Sequence, residues 1–195
     1  MIHYTQSITK EQIAVLPIEE YKGRVIIIET KKDAGRAVEY LSKYEKIGFD
    51  TETRPSFTKG KRFKIALMQI ATEDVCFLFR LNKIGMPKAL EGFLSNNTIL
   101  KIGLSLRDDF GAIRKRTDIE PHNFLDLQSY VGQFGIEDAS LQKIYAILFG
   151  KKISKGQRLS NWEADRLSDS QQRYAALDAW ACLKIYNKLK LDNGV

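Results

Sequence analysis

The chain has 195 residues, of which 44% are hydrophobic and 28% charged, an apolar content that fits one folded domain and excludes a disordered chain. Its 31 Lys and Arg against 24 Asp and Glu leave a net charge of +7, which favours polyanionic partners over acidic small metabolites. Only Cys76 and Cys182 are available, both inside apolar stretches, so a disulfide framework and a Cys-rich zinc site are excluded and a reducing, intracellular and cytoplasmic home is expected. No run of about 18 apolar residues occurs, and Met1 to Lys10 show no apolar core ahead of a cleavage site, so neither secretion nor a membrane is expected.

Residues 1–22 read as an N-terminal tether ahead of a single domain over 23–195, because no repeat, low-complexity tract or flexible linker interrupts the chain. The β-branched run Val25 to Ile28 predicts a buried strand, and Thr30 with Asp33 predicts a helix start. Ala34, Val38, Leu41 and Tyr44 recur at spacings of three and four, so the helix is expected to run from Asp33 to Lys46. Strands follow at Ile47 to Glu52, Phe63 to Ala71 and Val75 to Phe79, separated by short polar turns, which predicts an antiparallel meander.

From Pro87 the pattern alternates: a helix to Leu94, a strand at Ile99 to Leu104, a helix over Asp108 to Arg116 and a strand near Phe124. Leu141 to Phe149 reads as a helix. Ser160 with Glu163 reads as a capping box opening a short helix, and Ser168 with Gln171 as one opening a long final helix. The fold class is therefore α/β: a mixed sheet, antiparallel meander plus parallel strands, flanked by helices.

Asp50-Thr51-Glu52 closes a predicted strand, and strand alternation points its two carboxylates to one side. An isolated pair of this kind is most often a solvated strand end. Asp108-Asp109 begins a predicted helix, where acidic residues also suit the macrodipole. Asp178 lies mid-helix among Leu177, Ala181 and Cys182, with Tyr174 one turn earlier on the same face, a costly setting for an unpaired carboxylate.

In this order, a strand-borne D-x-E, a later Asp and a final Tyr-x-x-x-Asp resemble the three motifs of the DEDDy 3′→5′ exonucleases. Gly48-Phe49-Asp50-Thr51-Glu52 with Arg54-Pro55, and Ala66 to Ala71, are similar to the first motif and its neighbouring strand. Lys101-Ile102-Gly103 leading to Asp109 is similar to the second. Leu159 to Trp162 and Tyr174 to Ala179 are similar to the third, in the RNase D and Werner-type branch of the ribonuclease H-like superfamily. Thr53 stands where an aromatic frequently follows the first-motif Glu, and the count from Gly103 selects Asp109, leaving Asp108 at the helix start.

The resemblance implies a ribonuclease H-like fold and a metal-dependent phosphodiester hydrolase that releases nucleoside 5′-monophosphates from the 3′ end of DNA or RNA. It implies two divalent cations, Mg²⁺ or Mn²⁺, with Asp50, Glu52 and Asp178 on one, Asp50 bridging to the second and Asp109 contributing there, while Tyr174 orients the attacking water. The histidine of the sister subclass would stand at position 173, which is Arg173. RNase D resembles this domain followed by helical substrate-binding domains, so the chain is expected to be the catalytic domain alone, its substrate choice shared with a helper protein or domain.

Three acid-free runs hold eleven of the 31 basic residues: Lys59, Lys61, Arg62 and Lys64; Arg114, Lys115 and Arg116; Lys151, Lys152, Lys155 and Arg158. Each adjoins a motif, where a nucleic-acid backbone must pass. Phe57 and Phe110 are candidates to stack on a terminal base, with a core role the default for either. Two rivals remain: a haloacid dehalogenase-type phosphatase, whose D-x-D would need Asp where Glu52 stands, and a non-catalytic nucleic-acid-binding module on the same fold.

Overall fold

The run of β-branched and aromatic residues between positions 24 and 79 folds into four strands because each alternates its side chains between two apolar surfaces. A computed structural model describes residues 4–58 and 63–194. The strands are β1 (Arg24–Ile28), β2 (Lys46–Thr53), β3 (Ile65–Ala71), β4 (Val75–Phe79), β5 (Leu100–Gly103) and β6 (Phe124–Asp126). They form one sheet in the order β1-β4-β3-β2-β5-β6. The pairs β2–β3 and β3–β4 are antiparallel, which is the expected meander, while β1–β4, β2–β5 and β5–β6 are parallel.

One face of the sheet is covered by helices α2 (Lys31–Leu41), α4 (Lys88–Leu94) and α5 (Leu106–Ile113), which bury Ala34, Leu41, Phe93 and Leu106 against Ile47, Phe49 and Met68. The other face carries α7 (Leu141–Phe149) and the 25-residue α8 (Asp169–Asn193), packed on Leu67, Ala71, Leu78 and Ile102. Ser168 and Gln171 form the expected capping box at the start of α8. Short helices α1 (Lys10–Ala14), α3 (Leu81–Ile84) and α6 (Leu127–Tyr130) fill connections, with one 3₁₀ turn at Val131–Phe134.

Two expectations are corrected. The helix expected to reach Lys46 stops at Leu41: the Ser42 hydroxyl takes the Val38 carbonyl, and Tyr44 meets Tyr40 through their hydroxyls at 2.8 Å instead of entering the core. No helix opens at Ser160. Asn161 Oδ1 accepts the Glu163 amide at 3.1 Å, Ser160 bonds Gln157, and the carbonyls of Ala164 and Asp165 go to the buried Arg80 guanidinium.

The segment read as a tether carries α1 and is bonded along the body. Ile8 N–H donates to Asp138, Tyr4 to Asp192, and Glu19 sits buried beneath Tyr145, Lys151 and Lys184.

Candidate active site

Gly48 sets the position of the site. A Cβ at this residue would overlap the Ala179 carbonyl oxygen, so glycine alone lets α8 lie directly on β2. Alternation along β2 then turns Asp50 and Glu52 toward α8, and Asp178 reaches them from the helix. Carboxylate oxygens of Asp50, Glu52 and Asp178 lie within 4.8 Å of one another. Asp178 is 8% exposed, and the other two are half-buried.

Asp109 enters from the opposite face in the first turn of α5, and its carboxylate accepts the Thr51 hydroxyl between the two acids of β2. Asp108 points to solvent, so Asp109 is the member of the doublet that the fold turns inward. Tyr174 stands one turn before Asp178, its hydroxyl a hydrogen-bond donor toward that carboxylate and its ring 6.1 Å from that of buried Trp162. All five residues expected to carry chemistry converge on one place.

Their protonation reflects that crowding. Burial, then the charges of Glu52, Asp178 and Asp109, raise the Asp50 pKa well above the usual carboxylate range. Glu52 is pushed up to about 9 by burial and by Asp178 and Asp109, with Arg158 acting against the rise. Asp178 is raised to about 7 by burial, against the pull of Tyr174 and Lys155. Asp109 is raised to about 6 by burial, with Thr51 opposing. Burial and the neighbouring acids also raise the Tyr174 phenol, so it stays protonated at neutral pH.

The basic runs divide. Lys155 and Arg158 are exposed and near enough to draw down Asp178 and Glu52 respectively. Lys64, Arg114 and Lys115 are also exposed. The structure gives three residues other partners: Arg116 Nε donates to the Ile65 carbonyl at 2.8 Å, Lys151 pairs with Glu19 at 3.1 Å, and Lys152 takes the Ala14 carbonyl. Lys59, Lys61 and Arg62 lie outside the described residues.

Two grooves are lined by residues of the motifs, and the first reaches the carboxylates at Asp178. One of about 350 Å³ is lined by Ser105, Gln128, Lys155 and Arg158 and runs to Tyr174 and Asp178. The other, of about 300 Å³, lies between Arg54, Phe57, Phe63 and Leu159, with Phe57 88% and Leu159 68% exposed. Phe110 instead packs edge-on against Phe124 at 5.0 Å, a core role.

The family of 3′-5′ exonucleases matches residues 25–192. The chain belongs to that family. It is 30% identical over 184 residues to the mouse bifunctional 3′-5′ exonuclease/ATP-dependent helicase WRN, covering 89% of this chain and 13% of that protein. It is 30% identical over 171 residues to a 3′-5′ exonuclease of Arabidopsis thaliana, covering 84% of this chain and 57% of the relative. The chain thus spans little more than half the length of one of these relatives and a small part of the other. Its fold is similar to the crystal structure of the Aedes aegypti Nibbler EXO domain, with TM-score 0.79 and 24% identity over 90% of this chain and 93% of that one. The mixed sheet is the ribonuclease H-like fold of such exonucleases.

Two residues of this exonuclease fold escaped the sequence reading. Gln69, fully buried on β3 opposite Asp50, donates its amide to Asp50 Oδ2 at 3.5 Å while its own Oε1 has no protein partner. A lone Gln in the apolar run Ala66 to Ala71 was the available signal. Thr51, which holds Asp109, faces away from its neighbours by strand alternation and was legible only once α5 was placed.

Proposed function

We propose that the chain is a metal-dependent 3′→5′ exonuclease domain that removes nucleoside 5′-monophosphates one at a time from the 3′ end of a nucleic acid. The observation that carries this reading is the convergence of Asp50, Glu52 and Asp178 within 4.8 Å, with the Tyr174 hydroxyl beside Asp178. The donor set is oxygen only, and the raised pKa values mark an acidic cluster that Lys155 and Arg158 leave short of cations, which fits hard divalent ions such as Mg²⁺ or Mn²⁺. Asp50, Glu52 and Asp178 would hold one ion, with Asp50 and Asp109 serving a second. When bound, such ions supply the positive charge that makes water nucleophilic at neutral pH and offsets the charge growing on the phosphate and the leaving 3′ oxygen.

The chain's own groups do the positioning. Tyr174, kept protonated, is a poor base, so its hydroxyl orients the attacking water instead of deprotonating it. Arg158 and Lys155, at the mouth of the groove leading to Asp178, bind backbone phosphate on the approach to the scissile bond. Exposed Phe57 and Leu159 offer apolar surface to a terminal base. With a cation holding it ionised, Glu52 near the terminal 3′-OH would repel an added 3′-phosphate. Both cysteines are free and buried, which supports an intracellular setting, and among the described residues no helix is long and apolar enough to cross a membrane.

The test is release of label from the 3′ end of linear single and double strands, in DNA and RNA, with Mg²⁺ or Mn²⁺ and with chelator. Metal-dependent release of 5′-monophosphates, blocked by a 3′-phosphate, is expected. Cutting of a closed circular single strand overturns the reading, and binding that persists without any release converts it to a binding module.

A further inference from the structure

The geometry points to Asp126, at the end of β6, as a positioning residue for Asp109, an inference that rests on the exonuclease reading above. Helix α5 begins at Leu106 behind Ser105, a non-glycine residue at φ 62° and ψ 40° whose side chain caps nothing. A left-handed backbone there and an uncapped first turn would normally fray the helix start. Asp126 supplies both missing restraints from the neighbouring strand. One carboxylate oxygen accepts the Ser105 N–H and the other the Leu106 N–H, each at 2.9 Å. The first also accepts the Gln128 N–H at 2.9 Å, tying the carboxylate to the start of α6.

The register makes this possible: β6 runs parallel to β5 with Asp126 opposite Gly103, two residues before Ser105. Gly103 has no room for a side chain, since a Cβ would press on the Leu106 side chain and on the Phe49 carbonyl oxygen. The turn from β5 into α5 is thus fixed from both sides. Its angle decides which acid of the doublet faces the site. Successive helical residues are rotated by about 100°, so a slip of one residue would exchange half-buried Asp109 for exposed Asp108 and break the Thr51 bond. Asp126 touches none of the reacting groups; it acts through the helix that carries Asp109.

The experiment is Mn²⁺ titration calorimetry of Asp126→Ala beside the wild-type chain, with 3′-end release measured on the same samples. The wild type is expected to bind two ions. Asp126→Ala should lose or weaken the second by about tenfold or more, the range for groups that orient metal ligands. Its kcat should fall similarly with KM for the strand little changed. Asp126→Asn, which keeps one carbonyl acceptor, should lie between and decides the matter if Asp126→Ala fails to melt cooperatively. Adding Ser105→Gly to Asp126→Ala should restore much of the second site, because glycine adopts the left-handed backbone without help, with Ser105→Gly alone as reference. Wild-type Mn²⁺ binding and rate in Asp126→Ala, or a double variant no better than Asp126→Ala, overturns the inference while leaving the exonuclease reading intact. A wild-type chain that binds no Mn²⁺ and releases no nucleotide sinks that reading and this one with it.

Discussion

The Ala179 carbonyl oxygen fills the space that a Cβ on Gly48 would need, so α8 crosses β2 at the distance of two backbones. Each of these residues lies close in sequence to a carboxylate of the site: Asp178 precedes Ala179, and Asp50 follows Gly48 by two. The small side chains of Ala175, Ala179 and Cys182, all buried, continue the close crossing along the helix. A glycine with no chemistry of its own therefore fixes the separation of groups that have it.

Gly48→Ala should lift α8 from the strand. Overpacking of this kind costs about 1–3 kcal/mol. Turnover should fall further than stability suggests, since a displacement of about 1 Å at reacting groups can cost about 100-fold. Denaturant midpoints and single-turnover cleavage measure the two effects, and a variant that cleaves at the wild-type rate contradicts the role given to the crossing.

Asp50→Ala and Asp178→Ala should each abolish nucleotide release while nucleic-acid binding persists through Lys155, Arg158 and the other exposed cations. Asp178→Asn should also raise the melting temperature of the chelated protein, because it removes one like charge from a cluster whose members raise one another's pKa values. A mutant that is inactive yet melts lower would mean that Asp178 holds the fold and not a cation.

The long-range pattern was legible because it rests on alternation and spacing. Asp50 and Glu52 share a side of β2 by strand period, and Tyr174 and Asp178 share a helix face by helical period, so each pair was readable before any fold existed. What failed was local competition. Ser160 and Glu163 have the spacing of a capping box, but Arg80, distant in sequence and fully buried, claims the carbonyls that the helix would have needed. Helix α1 was missed because one turn carries no apolar period. Charge was the least legible feature: Lys151 and Lys152 read as a phosphate-binding run, yet Lys151 answers the buried Glu19 and Lys152 the Ala14 carbonyl, partners that no local spacing discloses.

Glu19→Ala tests that last point. Its carboxylate, held at about 2 by Tyr145, Lys151 and Lys184 against the opposing effect of burial, joins the N-terminal segment to α7 and α8. Losing an acceptor for charged donors should cost about 2 kcal/mol in unfolding free energy. Cleavage at permissive temperature should be unchanged. A fall in rate without a fall in stability would place the Glu19 cluster in the catalytic machinery instead.

Tyr174→Phe keeps the ring against Trp162 and deletes one hydroxyl. If that hydroxyl orients the water, single-turnover cleavage at saturating metal should fall by one to three orders of magnitude, about 2–4 kcal/mol for a transition-state hydrogen bond. The variant also removes a donor from Asp178, so the Asp178 pKa should rise further. Undiminished cleavage would reduce Tyr174 to a core aromatic.

The metal-free protein should become less stable as pH rises, the reverse of the usual behaviour of paired carboxylates. Unfolded Asp and Glu lose their protons near about pH 4. In the fold, Asp109 keeps its proton to about 6, Asp178 to about 7 and Glu52 to about 9. Across that window the folded chain binds more protons than the unfolded one, so each step up in pH removes stability that is fully present below the unfolded values. Glu19, lowered to about 2, runs the other way, but its contribution is lost only as pH falls toward that value and so cannot mask the trend above about pH 5. A divalent ion competes with the same protons, so its affinity, and the rise in melting temperature it causes, should grow over the interval in which the chelated protein weakens. Melting curves in chelator and in Mg²⁺ from about pH 5 to 9 should therefore diverge. Asp178→Asn should reduce the slope in chelator. Parallel curves would show that the protons and the cation do not share Asp50, Glu52, Asp109 and Asp178.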